Sequence, residues 1–187
     1  MKPVNKPVFD SQWRAATHIA PMVRSHADWM IGRHYLRRWP GVCTLILGLY
    51  KRHLPIGVIV FALPPTQTAV RYGGAAWELA RLWVSDEVPQ NAESYFMGAA
   101  IRYVKNNFKN IRFLVTYADP SAGHSGAIYR ATNWIADGRT DDERKSPRCD
   151  YKDVSTGKVY SRRSHVPDGV IVSRVPRVSK FRFYFAL

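Results

Sequence analysis

The chain carries two hydrophobic periods, and each change of period marks an element. Two apolar runs, CTLILGLY (43–50) and IGVIVFA (56–62), flank the polar segment KRHLP, which predicts a β-hairpin. WELARLWV (77–84) has period two. Strict alternation puts Glu78, Ala80, Leu82 and Val84 on one face and Trp77, Leu79, Arg81 and Trp83 on the other. After the turn SDEVPQNAES the period lengthens: Phe96, Ala99, Ala100, Tyr103 and Val104 fall at i, i+3, i+4, i+7 and i+8. That spacing predicts a helix buried along one side and running to Lys105. Asn91 or Ser85 is its candidate cap, with acidic residues near the positive end of its dipole. IRFLVTY (111–117) is a further strand and 125–133 a further helix.

Upstream, RSHADWMIGRHYLRR (24–38) fits one helix stopped by Pro40 and Gly41, with Trp29, Gly32, Tyr35 and Leu36 near one face and Arg33 and Arg37 on another. Residues 63–76 read as a Pro- and Gly-rich loop, and 1–10, with Pro3 and Pro7, as an extended arm. Residues 137–168 are polar and irregular, with room for one short hairpin at Thr156-Gly157; GVIVSRV and KFRFYFAL close the chain as strands, so that 137–187 forms a polar loop with basic C-terminal strands. Strand–helix–strand succession implies a crossover unit, hence an α/β fold with a central mixed sheet flanked by helices, in a single domain over 1–187.

Charge changes the picture. The 28 Lys and Arg outnumber the 14 Asp and Glu, for a net charge of +14. That excess points to a polyanionic partner, nucleic acid before any membrane surface. The basic residues fall into two groups: Arg24, Arg33, Arg37, Arg38, Lys51 and Arg52 around the first helix and hairpin, and Arg162, Arg163, Arg174, Arg177, Lys180 and Arg182 toward the C-terminus. Aromatic side chains lie among them, and their faces can stack bases while the cations hold phosphates. The run from Val42 to Tyr50 is too short to span a bilayer, and MKPVNKPVFD lacks a signal peptide's apolar stretch. Cys43 and Cys149 form neither a metal-ligand spacing nor a disulfide framework, so a cytoplasmic protein without a membrane partner is expected.

Candidate chemistry concentrates in YADPSAGHSGAIYRATNW (117–134), at the end of a strand and the start of a helix. Asp119 before Pro120 suits a turn or helix cap, and equally a site carboxylate. Ser121 and Ser125 suit turns or caps, and His124 lies between small residues where it stays accessible. Tyr129 suits either core packing or a general acid. His34 and Tyr35 are neighbours that point about 100° apart on a continuous helix, so they share a site only where that helix ends or bends.

Three segments resemble the Mom proteins of bacteriophages: His34-Tyr35 with Arg38-Trp39-Pro40, ELARLWVSDEVPQNAESYF (78–96), and the 117–134 motif. The core from Trp77 to Trp134 is also similar to the GNAT acyltransferase fold. The resemblance implies a phage-encoded enzyme, acting in the host cell, that attaches a carbamoylmethyl group to the exocyclic amine of adenine in double-stranded DNA and hides it from restriction. It implies catalytic roles for Asp119, Tyr129, His34, Tyr35 and Ser121. It also implies iron held among His34, Tyr35, Asp119, Tyr129 and His124, and acetyl-CoA or another small-group donor along Leu82, Val84, Asn91 and Ser94. Arg33, Arg37, Arg38, Lys51, Arg52, Arg162, Arg163, Arg177, Lys180 and Arg182 would meet the DNA. One departure stands out. GNAT proteins cradle the CoA pyrophosphate on a Gly-rich strand–helix turn, whereas this chain has DEVPQNAESYF, with Asp86, Glu87 and Glu93 to repel it. A CoA-dependent acyltransferase acting on a small amine or a protein is the alternative reading.

Overall fold

The computed structural model describes residues 7–142, 144–146, 148–161 and 164–187. A short helix α1 (Ser11–Ala15), capped by Asp10, leads into strand β1 (Thr17–Pro21). Helix α2 (Arg24–Arg33) precedes the hairpin of β2 (Cys43–Lys51) and β3 (Leu54–Ala62). Helix α3 (Thr66–Arg71) occupies the stretch expected to be a loop. Then come β4 (Ala76–Val84), α4 (Ala92–Asn107), β5 (Phe113–Ala118), a 3-10 turn at Pro120–Ala122, α5 (Ala127–Ala131) and β6 (Ile135–Arg139). Strands β7 (Cys149–Asp153), β8 (Val159–Tyr160) and β9 (Val172–Pro176) make a small sheet in the order β8-β7-β9, and β10 (Phe181–Ala186) returns to the large one.

The large sheet has seven strands in the order β1-β2-β3-β4-β5-β10-β6. Every neighbouring pair is antiparallel except β4–β5, which the α4 crossover makes parallel. One face carries the main core: Leu47, Leu49, Ile59 and Phe61 pack with Trp77, Leu79, Leu114 and Phe183 against Phe96, Met97, Ala100 and Val104 of α4. The other face buries Val58 and Val60 under Ala27, Met30 and Ile31 of α2. The chain thus has a mixed sheet flanked by helices, as the alternation of periods predicts. Each of the large side chains sealed on these faces stabilises the fold by about 1.5–3 kcal/mol.

Three departures from the sequence pattern shape the site. First, α2 stops at Arg33, not at 38. His34 adopts extended backbone, its Nδ1 accepts the Leu36 N–H at 3.1 Å, and Arg37 takes φ 49°. A side chain that captures a nearby backbone N–H competes with the helix. Second, β4 is not strictly alternating. Val60 pairs with Arg81 but Phe61 pairs with Leu79, so Ala80 is an extra, bulged residue. Beyond it the faces exchange: Leu82 and Val84 join Leu79 over the main core, and Arg81 turns to the side of Glu78. Third, β5 stays beside β4 for three residue pairs only, Ala76 with Phe113 through Glu78 with Val115. Past Glu78 the two strands diverge. The Thr116 hydroxyl, donating to the Leu79 carbonyl at 3.0 Å, bridges them where they begin to part.

Candidate active site

The divergence of β4 and β5 opens a cleft of about 780 Å³. Its walls are the end of α2, the second half of β4, Thr116–Ala118 and the loop from Gly123 into α5. The early stop of α2 resolves the angular conflict between His34 and Tyr35. Both now line the cleft, their rings 4.6 Å apart, and Tyr35 meets the His124 ring at 4.7 Å. Tyr129 lines the cleft from α5, its ring packed on Trp134 and Phe183.

Asp119 and Ser121 are not among the residues that line the cleft, although the Asp119 charge acts on the Tyr35 phenol in its wall. Asp119 accepts the Ser121 N–H and hydroxyl and pairs with Lys180 at 2.8 Å. Its partial burial would raise the carboxyl's pKa, but the Lys180 ammonium and the Ser121 bonds outweigh this and hold it below the usual carboxylate range. The effect is to pin the turn that presents His124, whose N–H bonds the Asp119 carbonyl at 3.0 Å. Leu82 and Val84 line the cleft, whereas Asn91 and Ser94 do not: Asn91 is the left-handed residue before α4, and Ser94 donates to its carbonyl at 2.9 Å.

Two residues not singled out in the sequence dominate the electrostatics. Glu78 lines the cleft, and burial pushes its carboxyl up to about 7, the charges of Arg81 and Lys180 offsetting part of the shift. Arg81 is 6% exposed, with Nε on the Arg38 carbonyl at 2.9 Å. Their signal in the sequence is a pair of charges inside an apolar strand. Plain alternation separates them, and the bulge at Ala80 is what unites them. The buried His34 imidazole is held down to about 4 by burial, then by Arg81 and His124. It is neutral at physiological pH, and because Nδ1 accepts from Leu36 the proton sits on Nε2. Burial raises the Tyr129 phenol to about 12 against the opposing Thr116 hydroxyl, so it remains a proton carrier.

The donor set does not fit iron. Among the described residues no group of three or more His, Cys, Asp or Glu is placed to hold a metal. His34 has one nitrogen committed to Leu36 and a proton on the other, and Asp119 is committed to Lys180 and Ser121. A CoA pyrophosphate is no better served: Asp86 and Glu93 line the cleft where α4 begins. Of the expected DNA contacts, Arg33 lines the cleft, Arg37 and Arg38 are exposed beside it, and Lys51 and Arg52 sit at the β2–β3 turn. Arg177, Lys180 and Arg182 are ion-paired with Asp150, Asp119 and Asp137. Arg162 and Arg163 lie outside the described residues.

Comparison with known proteins adds the family. The sequence pattern of the Mom protein family matches residues 16–185. A relative from Escherichia phage Mu, the methylcarbamoylase Mom, is 27% identical over 108 residues, 54% of this chain and 45% of its own length. The chain therefore aligns with less than half of the curated relative it matches. Among solved structures, an IAA acetyltransferase from Bacillus cereus aligns with TM-score 0.56 and 12% identity, over 91% of this chain and 99% of its own. A Bacillus subtilis acetyltransferase in complex with CoA aligns with TM-score 0.54 and 10% identity, over 91% and 97%. At such identities the likeness establishes the GNAT-like fold alone.

Proposed function

The chain belongs to the Mom protein family, and on that premise we propose that it is a DNA-modifying transferase that appends a carbamoylmethyl group to the exocyclic amine of adenine. One observation carries the chemistry: a carboxylate that ionises near neutrality, Glu78, and a phenol that stays protonated, Tyr129, line one cleft between diverging strands. Separated pKa values of this kind assign a base and an acid.

Adenine's amine is a weak nucleophile because its lone pair is delocalised into the ring, and in a duplex it is stacked. Extruding the base costs a few kcal/mol, recovered by contacts in the cleft. The rings of Tyr35 and His124 form one wall for it. The neutral His34, with its proton on Nε2, is a hydrogen-bond donor beside them. The product bond joins nitrogen to a methylene carbon, so the donor is an acetamide whose methylene bears a leaving group. As the amine nitrogen bonds that carbon, the carbon–leaving-group bond breaks with its electron pair. Glu78 takes the amine proton and Tyr129 protonates the departing group. Transfer from an acyl thioester would instead leave an amide, and the acidic lining at the start of α4 does not favour a pyrophosphate-bearing carrier.

DNA from cells expressing the chain, digested and analysed by mass spectrometry, is expected to contain adenosine heavier by one carbamoylmethyl unit. Unaltered adenosine overturns the reading. Tyr129→Phe is expected to lower the yield about 100-fold or more, the size of a lost general acid, while DNA affinity is retained; wild-type yield removes Tyr129 from the chemistry. The rate should rise with pH along a limb of apparent pKa about 7 as Glu78 loses its proton. A rate that is flat between pH 5.5 and 8.5 on the scale of ~10-fold would assign proton removal elsewhere.

A further inference from the structure

We propose that a second opening, of about 700 Å³, is the groove for the phosphodiester backbone of the strand whose base enters the cleft. The inference rests on the adenine-modification reading and adds the surface that holds the substrate. Seven of the sixteen residues lining this opening are Arg or Lys, and Glu78 is the one acid among them. They come from separate segments: α3, the end of β6, the link to β7, the link from β9 into β10, and β10 itself. A spread of cations over several segments suits a chain of phosphates better than one small anion.

The cations are arranged in depth. Asp119, Asp137, Asp141 and Asp150, the carboxylates that pair with them, are 10–16% exposed, while the side chains of Arg71, Arg144, Arg148, Arg177 and Lys180 are 28–41% exposed and that of Arg182 is 11% exposed. Except at Arg182, which lies as deep as Asp137, the acids therefore lie beneath and fix the direction of the bases, which face the opening. Charge-assisted pairs hold a guanidinium in one plane, and that is the geometry a phosphate needs. Thr66, Thr68 and Thr140 also line it, the Thr68 hydroxyl bonded to that of Tyr117 and the Thr140 hydroxyl accepting from Arg148. Glu78, Tyr117 and Lys180 line both openings. The two openings thus adjoin where β4 and β5 part, so a strand bound in the groove lies next to the cleft that takes its base.

Arg139 and Arg144 allow a test that spares the buried pairs. Arg139 is exposed and lies over the Phe181 ring, and Asp141 keeps Arg148 when Arg144 is removed. Binding to a duplex of about 20 base pairs is titrated against salt. With Arg139→Ala and Arg144→Ala combined, the log–log slope should fall by about 2 and the affinity at 0.1 M salt by about tenfold or more. The Lys-for-Arg double variant should keep the slope, and so should Arg102→Ala on the exposed face of α4, which lines neither opening. An unchanged slope in the double Ala variant overturns the groove, as does an equal fall in Arg102→Ala. Saturable pyrophosphate binding with an unchanged DNA slope overturns it in favour of a small phosphorylated ligand. Modified adenosine formed by the wild type in the same experiment separates failure of the groove from failure of the adenine reading; absence of both DNA binding and modification overturns both.

Discussion

Glu78→Gln is expected to lower adenine modification about 100- to 10,000-fold, the range for loss of a positioned general base, while DNA binding is not weakened. It is also expected to stabilise the fold at pH 8. The folded carboxyl ionises near 7, whereas an unperturbed one ionises at 4.5. As pH rises through that window the unfolded chain gives up its proton first, so ionisation draws the equilibrium toward unfolding. Gln carries no such proton and escapes the loss. The ascending pH limb should vanish from whatever rate remains. Thermal unfolding at pH 5 and pH 8, alongside nucleoside analysis, checks both halves. A variant that is inactive and less stable at pH 8 would reduce Glu78 to a packing residue, and a fully active one would end its assignment as base.

Gly126→Ala should cost about 2–4 kcal/mol, against about 1 kcal/mol for Gly123→Ala. Both glycines hold left-handed backbone, at φ 79° and φ 77°, so an added Cβ strains them alike. Their surroundings differ. At Gly123 the new atom meets nothing within 4 Å, whereas at Gly126 it lies 2.4 Å from the Phe183 ring. Phe183 is buried and packs on Tyr129 at 5.3 Å, so neither ring can retreat without moving the other. The melting temperature should drop by about 5–15 °C for Gly126→Ala and about 2–4 °C for Gly123→Ala. Equal shifts would show that backbone conformation alone governs this turn.

Most of the sheet was legible because the apolar runs at 43–50 and 56–62 and the alternating run at 77–84 announce buried strands. The amphipathic spacing from Phe96 to Val104 announces α4 in the same way. What escaped has identifiable causes. β1 and β6 are short edge strands, THIAP and IADGR, too polar to show a period. The stop of α2 depends on the His34 side chain taking a backbone N–H, a choice no hydrophobic pattern records. The bulge at Ala80 decides that Arg81 and Glu78 share a side, and a binary pattern contains no bulges. Of the candidates in the 117–134 motif, His124 and Tyr129 line the cleft. Asp119 holds the turn before His124, and its charge acts on the Tyr35 phenol in the cleft wall.

β10 lies between β5 and β6, although the chain reaches it only after passing through the small sheet. Translation proceeds at about 5–20 residues per second, from the N-terminus onward. β6 thus leaves the ribosome with its one sheet neighbour still unmade, and Tyr129 lacks the Phe183 ring it rests on. A nascent chain therefore carries no finished cleft, and a product truncated before β10 exposes unpaired strand edges that invite aggregation.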